Sequence, residues 1–327
     1  MLEHGGRLRD AALHWRLPLA GWLDLSTGIA PWPYPVNVSA VAWQRLPEEE
    51  DGLEAAAARY YGHPAPLPLP GSQAAILWLP RLFAPGIAVL PAPTYGEYAP
   101  AWRAAGHEVR EIAIADIADA EADVIVLVNP NNPTGAGFAP EFLRALAERQ
   151  AARDNWLVVD EAFADATPDI GIAALAGTEL PRLAVLRSMG KFFGLAGARV
   201  GFLCAAPALR AKVHEALGPW AVAHPSREAA GQALADTFWQ SAQRLRLAAA
   251  SHRLGELLAR HGLPSTDGGR LFRYAPTPAA AELHDFLARR GILVRLFRHP
   301  DALRLGLPAA EADWRRLEAV LAEWSSP

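Results

Sequence analysis

Short apolar runs that end in turn or polar residues recur along the first two thirds of the chain. Such runs are typical of strands that are buried on both faces of a parallel sheet. The predicted strands lie at 87–90, 124–128, 156–159, 183–186 and 199–204. A helix is predicted at 140–153, between the second and third of these strands, with proline in its first turn. Strand, helix and strand in this order predict a right-handed crossover and a parallel or mixed sheet.

The pattern changes in the C-terminal third of the chain. Residues 221–261 are rich in alanine, arginine and leucine, and most of this stretch is predicted to be helical. The elements predicted beyond it are a strand at 271–274, a helix at 279–290, strands at 292–296 and 303–307, and a helix at 311–324. This mixture predicts a compact α+β unit that forms a second, smaller domain.

Composition and charge narrow the class of protein. The chain has 327 residues, of which 51% are hydrophobic and 20% charged, as in a folded soluble protein. A net charge of -4 argues against a nucleic-acid partner, which would require a basic surface. The single cysteine, Cys204, favours a reducing cytoplasm. No signal-peptide pattern opens the chain and no apolar run reaches the ~18–20 residues of a spanning helix, so we expect a cytoplasmic protein without membrane contact.

Lysine is rare in this chain, because only two of the 31 basic residues, Lys191 and Lys212, are lysines. A GC-rich genome that favours arginine codons is the simplest cause. Arginine serves wherever only a positive charge is needed, whereas an amine that must lose its proton and attack a carbonyl has to be lysine. Lys212 falls on a predicted exposed helix face, but Lys191 lies in a turn rich in glycine and phenylalanine. Lys191 is therefore the candidate nucleophile.

Two turn motifs could contribute to a binding site. Pro-Gly-Ser-Gln-Ala at 70–74 opens a predicted helix of about twelve residues, whose first N–H groups could bind a phosphate. A plain helix start is the alternative interpretation. Asn-Pro-Asn-Asn-Pro-Thr-Gly at 129–135 directly follows a predicted strand and must form a turn. Its two prolines could hold the Asn132 amide over the sheet edge, although a purely structural turn is the alternative.

Two further motifs place charges at the ends of predicted strands. Asp160 ends the strand at 156–159, and an acid there is costly to bury unless it meets a cation. A protonated pyridine nitrogen, a metal ion or a helix cap would each satisfy it, but no other cluster has metal-ligand spacing, so no metal is expected. The segment 187–199 supplies the Ser188 hydroxyl and Arg199 for a phosphate, on either side of Lys191.

In order and spacing, these motifs resemble the fold-type-I enzymes that use pyridoxal 5′-phosphate (PLP), the aspartate aminotransferase superfamily. The resemblance implies an α/β fold with a mostly parallel seven-stranded sheet between helices in a large domain at 36–219. It implies a smaller α+β domain at 1–35 and 220–327, and a homodimer. Lys191 would carry PLP as a Schiff base, Asp160 would pair with the ring nitrogen, and Tyr95 would stack on the ring. The other implied cofactor-binding residues are Ser72, Gln73, Asn132, Ser188 and Arg199.

Two families within this superfamily share the motifs: the histidinol-phosphate aminotransferases and the threonine-phosphate decarboxylases of cobalamin biosynthesis. Three features resemble the decarboxylases. They are His-Gly-Gly at 4–6 followed by the segment 22–29, Phe163 in place of the aminotransferases' usual tyrosine, and Pro-Trp-Ala-Val at 219–222. The resemblance implies conversion of L-threonine O-3-phosphate to (R)-1-aminopropan-2-ol O-phosphate and CO₂. Transamination of histidinol phosphate or another amino acid is the alternative.

The substrate, a small phosphorylated amino acid, carries two anions. By the same resemblance, Arg295 and Arg304 would bind them, with His4 as a further phosphate contact and Gly28 beside the substrate. A surface ion pair is the alternative for each arginine, as is an unordered terminus for His4.

Three positions depart from the decarboxylase pattern. Ala30 and Ala223 stand where asparagines are expected, and Leu46 stands where relatives have a tyrosine that reaches the neighbouring subunit's cofactor. Two other classes remain as rivals: a PLP-fold binding module without catalysis, and a Rossmann-type nucleotide binder. The first lacks a DNA-binding module here, and the second lacks its Gly-x-Gly-x-x-Gly motif.

Overall fold

The computed structural model describes residues 4–324. The α-helices in this range are α1 (Leu8–Trp15), α2 (Leu53–Tyr61), α3 (Ser72–Leu82), α4 (Tyr98–Ala104), α5 (Pro140–Ala151), α6 (Pro207–Leu217), α7 (His224–Ala235), α8 (Thr237–Arg260), α9 (Ala280–Arg289) and α10 (Glu311–Ala322). The strands are β1 (Leu23–Asp24), β2 (Leu67–Leu69), β3 (Ile87–Ala92), β4 (Glu108–Ala113), β5 (Val124–Val128), β6 (Trp156–Asp160), β7 (Leu183–Ser188), β8 (Gly201–Cys204), β9 (Thr266–Asp267), β10 (Phe272–Pro276), β11 (Ile292–Leu293), β12 (Arg295–Arg298) and β13 (Asp301–Gly306). None of these helices is both long and apolar enough to cross a membrane.

The largest sheet has seven strands in the order β2-β8-β7-β6-β5-β3-β4. Only β8 runs antiparallel to its neighbours, which confirms the predicted mostly parallel sheet. Both faces are buried: along β5, Val124, Val126 and Val128 join one core, while Ile125 and Leu127 join the other. This alternation explains why the strand is apolar throughout, since a sheet between two layers of helices has no polar face.

The carboxyl ends of the parallel strands lie along one edge of this sheet. The chain direction across the sheet reverses between β3 and β5, and ligands in α/β folds bind beside such a switch point. The loops and strand ends of β3, β5, β6 and β7 carry Tyr95, Asn132, Asp160 and Ser188. Four motifs that are far apart in the sequence therefore converge at this edge.

The C-terminal part forms an antiparallel sheet in the order β12-β13-β10-β9. A separate two-stranded pair joins β1 to β11 in parallel, with Leu23 opposite Ile292. The N-terminal segment thus pairs with the C-terminal unit rather than with the large sheet. The proposed division at 36–219 stays a prediction.

One predicted element differs from the structure. The strand predicted at 292–296 is two strands, β11 and β12, which belong to different sheets and are separated by Val294. Val294 is buried and belongs to the core, so its apolar side chain continues the hydrophobic pattern across the break. Hydrophobicity alone therefore could not show the change of partner.

Candidate active site

A cavity of about 720 Å³ opens at the carboxyl edge of the large sheet, between that sheet and the C-terminal unit. The residues predicted from the sequence that line it are His4, Gly28, Tyr95, Asn132, Lys191, Arg199, Arg295 and Arg304. The other four, Ser72, Gln73, Asp160 and Ser188, do not line this cavity. Their contacts, described below, place them around it.

Lys191 lies in the turn between β7 and β8, and its amine is held in apolar surroundings. The Nζ atom lies 5.4 Å from the centre of the Phe163 ring. Burial lowers the pKa of Lys191 to about 8, and the positive charge of Arg304 acts in the same direction, while Asp160 opposes them. A larger fraction of this amine is therefore neutral near neutral pH than in an ordinary lysine, and only the neutral amine attacks a carbonyl.

Asp160 is the last residue of β6 and is buried. One carboxylate oxygen accepts a hydrogen bond of 2.8 Å from the Tyr98 hydroxyl, and the other accepts one of 2.9 Å from the Ala162 N–H. Burial raises the pKa of Asp160, while Tyr98, Ala162 and Lys191 lower it. A cationic N–H donor placed against this carboxylate would offset the cost of burying it.

A buried ion cluster lies directly behind Asp160. Arg187 pairs with both Glu161 and Asp165, and its guanidinium carbon lies 4.7 Å from the centre of the Tyr61 ring. Glu161 follows Asp160, and Arg187 precedes Ser188. The cluster therefore joins the ends of β6 and β7 at the point where each strand presents a predicted site residue.

The predicted phosphate-binding residues meet around Gly201 in β8. Gly201 pairs with Ser188, and a Cβ at Gly201 would lie only 2.6 Å from the Ser72 nitrogen. Gly71, just before α3, has φ +79°, and a Cβ there would lie 2.7 Å from Nη2 of Arg199. The N-terminus of a helix, a serine hydroxyl and an arginine thus converge, which is an arrangement suited to a phosphate dianion.

Tyr95 and Gln73 connect the residues around the N-terminus of α3 to the cavity. The Tyr95 hydroxyl donates a hydrogen bond of 3.4 Å to Oε1 of Gln73, and Nε2 of Gln73 donates one of 3.2 Å to Glu97. Burial raises the pKa of Tyr95 to about 12, helped by the negative charges of Glu97 and Asp160. Tyr95 is therefore a neutral hydroxyl in the physiological range.

The Asn-Pro-Asn-Asn-Pro loop is anchored by Asn131, whose side chain donates 2.9 Å to the Pro93 carbonyl and accepts 2.8 Å from the Thr94 hydroxyl. These contacts tie the loop after β5 to the loop after β3. The following residue, Asn132, faces the cavity, and its Oδ1 accepts a hydrogen bond from Arg304. The loop thus connects Asn132, a predicted cofactor-binding residue, to Arg304, a predicted substrate-binding residue.

Arg304 is a buried cation in β13. Its Nη2 donates 2.9 Å to the Ser26 carbonyl, and its Nε has no hydrogen-bond partner among the described residues. Within residues 4–324 no carboxylate forms an ion pair with it. Burial lowers the pKa of Arg304 to about 10, and the charge of Arg295, opposite it on β12, acts in the same direction. A bound anion would offset this cost.

Gly28 lets two aromatic rings approach the backbone at the cavity wall. A Cβ at this position would lie 2.8 Å from the Phe272 ring and 2.9 Å from the Phe163 ring. The two rings pack edge to face, with their centres 5.3 Å apart. Phe163 lines the cavity, while Phe272 is fully buried. Nζ of Lys191 lies 5.4 Å from the centre of the Phe163 ring, and the guanidinium carbon of Arg304 lies 5.1 Å from the centre of the Phe272 ring.

Sequence reasoning missed Tyr98, Ser26 and Glu97. Glu97 and Tyr98 follow Tyr95 within three residues, and a hydrogen bond of 3.2 Å from the Tyr98 N–H to the Tyr95 carbonyl closes the turn between them. Ser26 lies in the segment 22–29 that was singled out for its resemblance. All three residues therefore lie beside or within segments from which site residues were predicted. Their own roles were not evident, because their partners come from distant parts of the chain.

The model of the aminotransferase class I and II family matches residues 47–319. The chain belongs to this family. A threonine-phosphate decarboxylase of Pseudomonas aeruginosa is 54% identical over 100% of this chain and 99% of the relative. A threonine-phosphate decarboxylase of a Sinorhizobium species is 42% identical, over 98% of both chains. The solved histidinol-phosphate aminotransferase of Sinorhizobium meliloti, in complex with PLP, has a TM-score of 0.84 at 22% identity and covers 98% of this chain and 95% of its own.

The donor set of the site fits the PLP of aminotransferase class I and II enzymes. PLP carries an aldehyde, a basic ring nitrogen and a phosphate. The site offers an amine of lowered pKa at Lys191, a buried carboxylate at Asp160 that lacks a cationic donor of its own, and the convergence of Ser188 and Arg199 at the N-terminus of α3. Among the described residues, no group of three or more His, Cys, Asp or Glu side chains could hold a metal ion.

Proposed function

We propose that the protein is a PLP-dependent lyase that decarboxylates L-threonine O-3-phosphate. The product is (R)-1-aminopropan-2-ol O-phosphate, an intermediate of cobalamin biosynthesis, and the carboxylate leaves as CO₂ while a proton takes its place. The observation that carries the proposal is the 54% identity to a threonine-phosphate decarboxylase along the whole chain. Arg304 and Arg295 lie on one side of the cavity, and Ser188, Arg199 and the N-terminus of α3 converge on the other. This arrangement is consistent with two anionic molecules that meet there.

The chain's own residues divide the cofactor-binding work. Lys191 would bind the aldehyde of PLP, Asp160 would keep the ring nitrogen protonated, and Asn132 would donate to the ring oxygen. Tyr95 would stack on the ring, and Ser72, Gln73, Ser188 and Arg199 would hold the phosphate. When bound, PLP supplies the sink for the electron pair of the bond that breaks at the substrate's α-carbon.

The substrate-side residues select which bond breaks. Arg304 and Arg295, with His4 as a further contact and Gly28 at the wall, would bind the carboxylate and the phosphate of the substrate and so fix the orientation at the α-carbon. Phe163, which packs against the buried Phe272, presents an apolar ring to the cavity. After CO₂ leaves, the α-carbon needs a proton, and the Lys191 amine is a candidate donor because it lines the cavity and its pKa of about 8 allows both protonation states near neutrality.

One assay separates decarboxylation from transamination. Purified protein with PLP and threonine phosphate should release CO₂ in proportion to substrate consumed and should need no 2-oxoglutarate. A matched reaction with 2-oxoglutarate should form no additional glutamate. Glutamate formation without CO₂ would instead identify an aminotransferase and reject the proposed reaction.

We also propose a cytoplasmic homodimer. The support for a second copy is a surface segment, residues 36–46, in which Val36, Val41, Trp43 and Leu46 are all exposed apolar side chains. The cytoplasmic location is supported by the lone cysteine, Cys204, which is buried; burial raises the pKa of its thiol to about 12. A thiol of this kind is an inert core residue rather than half of a disulfide.

A further inference from the structure

Residues 4–6, called the N-terminal strap below, lie beside the cavity and are attached to the wall that carries Arg304. Gly5 packs so closely on the Ser26 carbonyl that a Cβ would not fit, and the Gly6 N–H donates 2.7 Å to the Ser26 hydroxyl. The same Ser26 carbonyl accepts the hydrogen bond from Arg304. One end of the strap is therefore fixed to a group that also positions a predicted substrate-binding arginine.

The other end of the strap reaches Glu97, immediately before α4. Nε2 of His4 lies 2.6 Å from Oε1 of Glu97, while Oε2 of Glu97 accepts 3.2 Å from Gln73. Gln73 in turn accepts the hydrogen bond from Tyr95. One carboxylate thus joins the strap, the head of α3 and the aromatic side chain that faces the cavity, with each of its oxygens used by a different partner.

A carboxylate at this place has an electrostatic cost. Glu97 lies close to the residues that are suited to bind a phosphate and close to the arginine-lined cavity. Its negative charge therefore repels the anions that these residues would bind. Glu97 is compatible with anion binding only if its hydrogen bonds favour binding by more free energy than its charge repulsion opposes it. The hydrogen bonds to His4 and Gln73 are the contacts that can do so.

We propose that Glu97 is a positioning residue that fastens the N-terminal strap across the cavity and orients Gln73, so that His4 is held where it recognises the substrate's phosphate. The inference rests on the proposed function for the identity of the substrate. Glu97 itself acts only through His4 and Gln73. Its effect is therefore on substrate affinity rather than on the chemical step.

A double-mutant cycle tests this coupling. His4→Ala and Glu97→Ala should each raise KM for threonine phosphate about tenfold, the factor for one lost charge-assisted hydrogen bond, with kcat changed less than about threefold. The double variant should also raise KM about tenfold rather than about a hundredfold, because both substitutions remove one shared device. Multiplicative effects, or a Glu97→Ala variant with unchanged or lower KM, would overturn the proposal.

Two further variants test whether an oxygen acceptor at position 97 is needed and whether loss of a carboxylate elsewhere has the same effect. Glu97→Gln keeps an oxygen acceptor and should raise KM less than Glu97→Ala does. Glu108→Gln, on β4, removes an exposed carboxylate that pairs with Arg110 and should leave KM unchanged. An equal rise in KM in Glu108→Gln and Glu97→Ala would show a general effect of removing a carboxylate and would reject the positioning role.

A readout without substrate keeps this test independent of the reaction. In the PLP-loaded enzyme, trypsin should cut after Arg7 about fivefold faster in Glu97→Ala than in the wild type, because local opening governs cleavage, while the melting temperature stays the same. If the wild type releases no CO₂, the proposed function fails but this comparison still decides the role of Glu97. Unchanged cleavage would show that Glu97 does not hold the strap.

Discussion

Lys191 and Arg304 line the same cavity. Because like charges repel, the positive charge of each makes the charged form of the other less favourable. Arginine keeps its proton under all ordinary conditions, so the lysine is the group that responds. Burial and the charge of Arg304 both favour the neutral amine, and Asp160 only partly opposes them. The cavity is therefore electrostatically prepared for a dianionic ligand and for a nucleophilic amine at the same time.

Replacing Lys191 by methionine should stabilise the cofactor-free protein at pH 7. The folded-state pKa of about 8 lies below the ordinary value of 10.5, so the folded protein binds this proton more weakly than the unfolded chain does. The cost of burying the charge is complete below pH 8 and vanishes as the pH rises to 10.5. Urea unfolding should show Lys191→Met more stable by about 1–3 kcal/mol at pH 7, with the difference falling towards pH 10.

The other lysine provides the control for that experiment. Lys212 is exposed on α6, so Lys212→Met should leave the free energy of unfolding at pH 7 close to the wild-type value. With PLP, borohydride should fix the cofactor to the wild type and to Lys212→Met, but not to Lys191→Met. Equal stability of all three proteins at both pH values would mean that the Lys191 amine is not buried as described.

Arg304→Ala should weaken substrate binding much more than PLP binding. The guanidinium is buried without an ion-pair partner in the described chain, so it is available for a substrate anion, and its loss should raise KM by about tenfold to a hundredfold. PLP occupancy, measured by absorbance, should change little because the phosphate-suited end lies elsewhere. Arg289→Ala removes a surface ion pair with Asp285 and serves as the control. Equal kinetics of both variants would exclude Arg304 from substrate binding.

For individual residues, sequence reasoning was most informative where the chemistry allows few residue types. Lys191 stood out because an amine cannot be replaced by a guanidinium, and Asp160 because an acid that ends a buried strand needs a partner. Tyr98 and Ser26 were missed because their role comes from partners more than 60 and 270 residues away, Asp160 and Arg304. Such pairs depend on how the sheets are assembled, which local patterns do not specify.

Among the elements, α3 shows how backbone conformation can determine binding. Gly71 has φ +79°, a conformation that side chains other than glycine rarely adopt, and this turn brings the N–H groups of α3 close to Arg199 and Ser188. The helix itself was predicted at close to its observed length. The approach of Arg199 to the turn was implied only by the family resemblance and not by local pattern, because it depends on β8 lying beside β2.

Gly71→Ala should weaken PLP binding and stability together. The substitution costs about 1–3 kcal/mol, because φ +79° with ψ 155° is a conformation that essentially only glycine adopts, and its Cβ would also push Arg199 away from the head of α3. Gly52→Ala is the control for a positive φ alone, because Gly52 has φ +90° but open space around it. Both variants should lower the melting temperature, and only Gly71→Ala should reduce the affinity for PLP by tenfold or more. A similar loss of affinity in both would refute a specific role of the turn.

For the sheets, the sequence predicted the central strands well and the small domain less well. Buried parallel strands such as β5 are continuous apolar runs with clear ends, so length and composition define them. The split of 292–296 into β11 and β12 could not be predicted, because β11 pairs with β1, almost 270 residues earlier in the chain. A two-residue strand has no periodicity of its own, and its existence depends on that distant partner.

For the whole molecule, exposed apolar surface indicates where a second copy would bind. Within residues 4–324, Trp43 and Leu46 are 73% and 60% exposed, whereas large aromatic side chains such as Trp102 and Phe202 are fully buried. Leu46 is also the position at which the family's tyrosine is absent. An apolar contact in place of a polar one would keep the interface and lose the hydrogen bond that the tyrosine makes.

Trp43→Asp should therefore dissociate the proposed dimer. An aspartate at the centre of an apolar interface loses the burial of an aromatic side chain and adds an unpaired charge, together worth several kcal/mol. Sedimentation equilibrium should show the wild type as a dimer and Trp43→Asp shifted to a monomer, with unchanged circular dichroism. Leu13→Asp is the control, because Leu13 is 79% exposed on α1, a helix that packs against α9. A Trp43→Asp protein that remains dimeric would place the interface elsewhere.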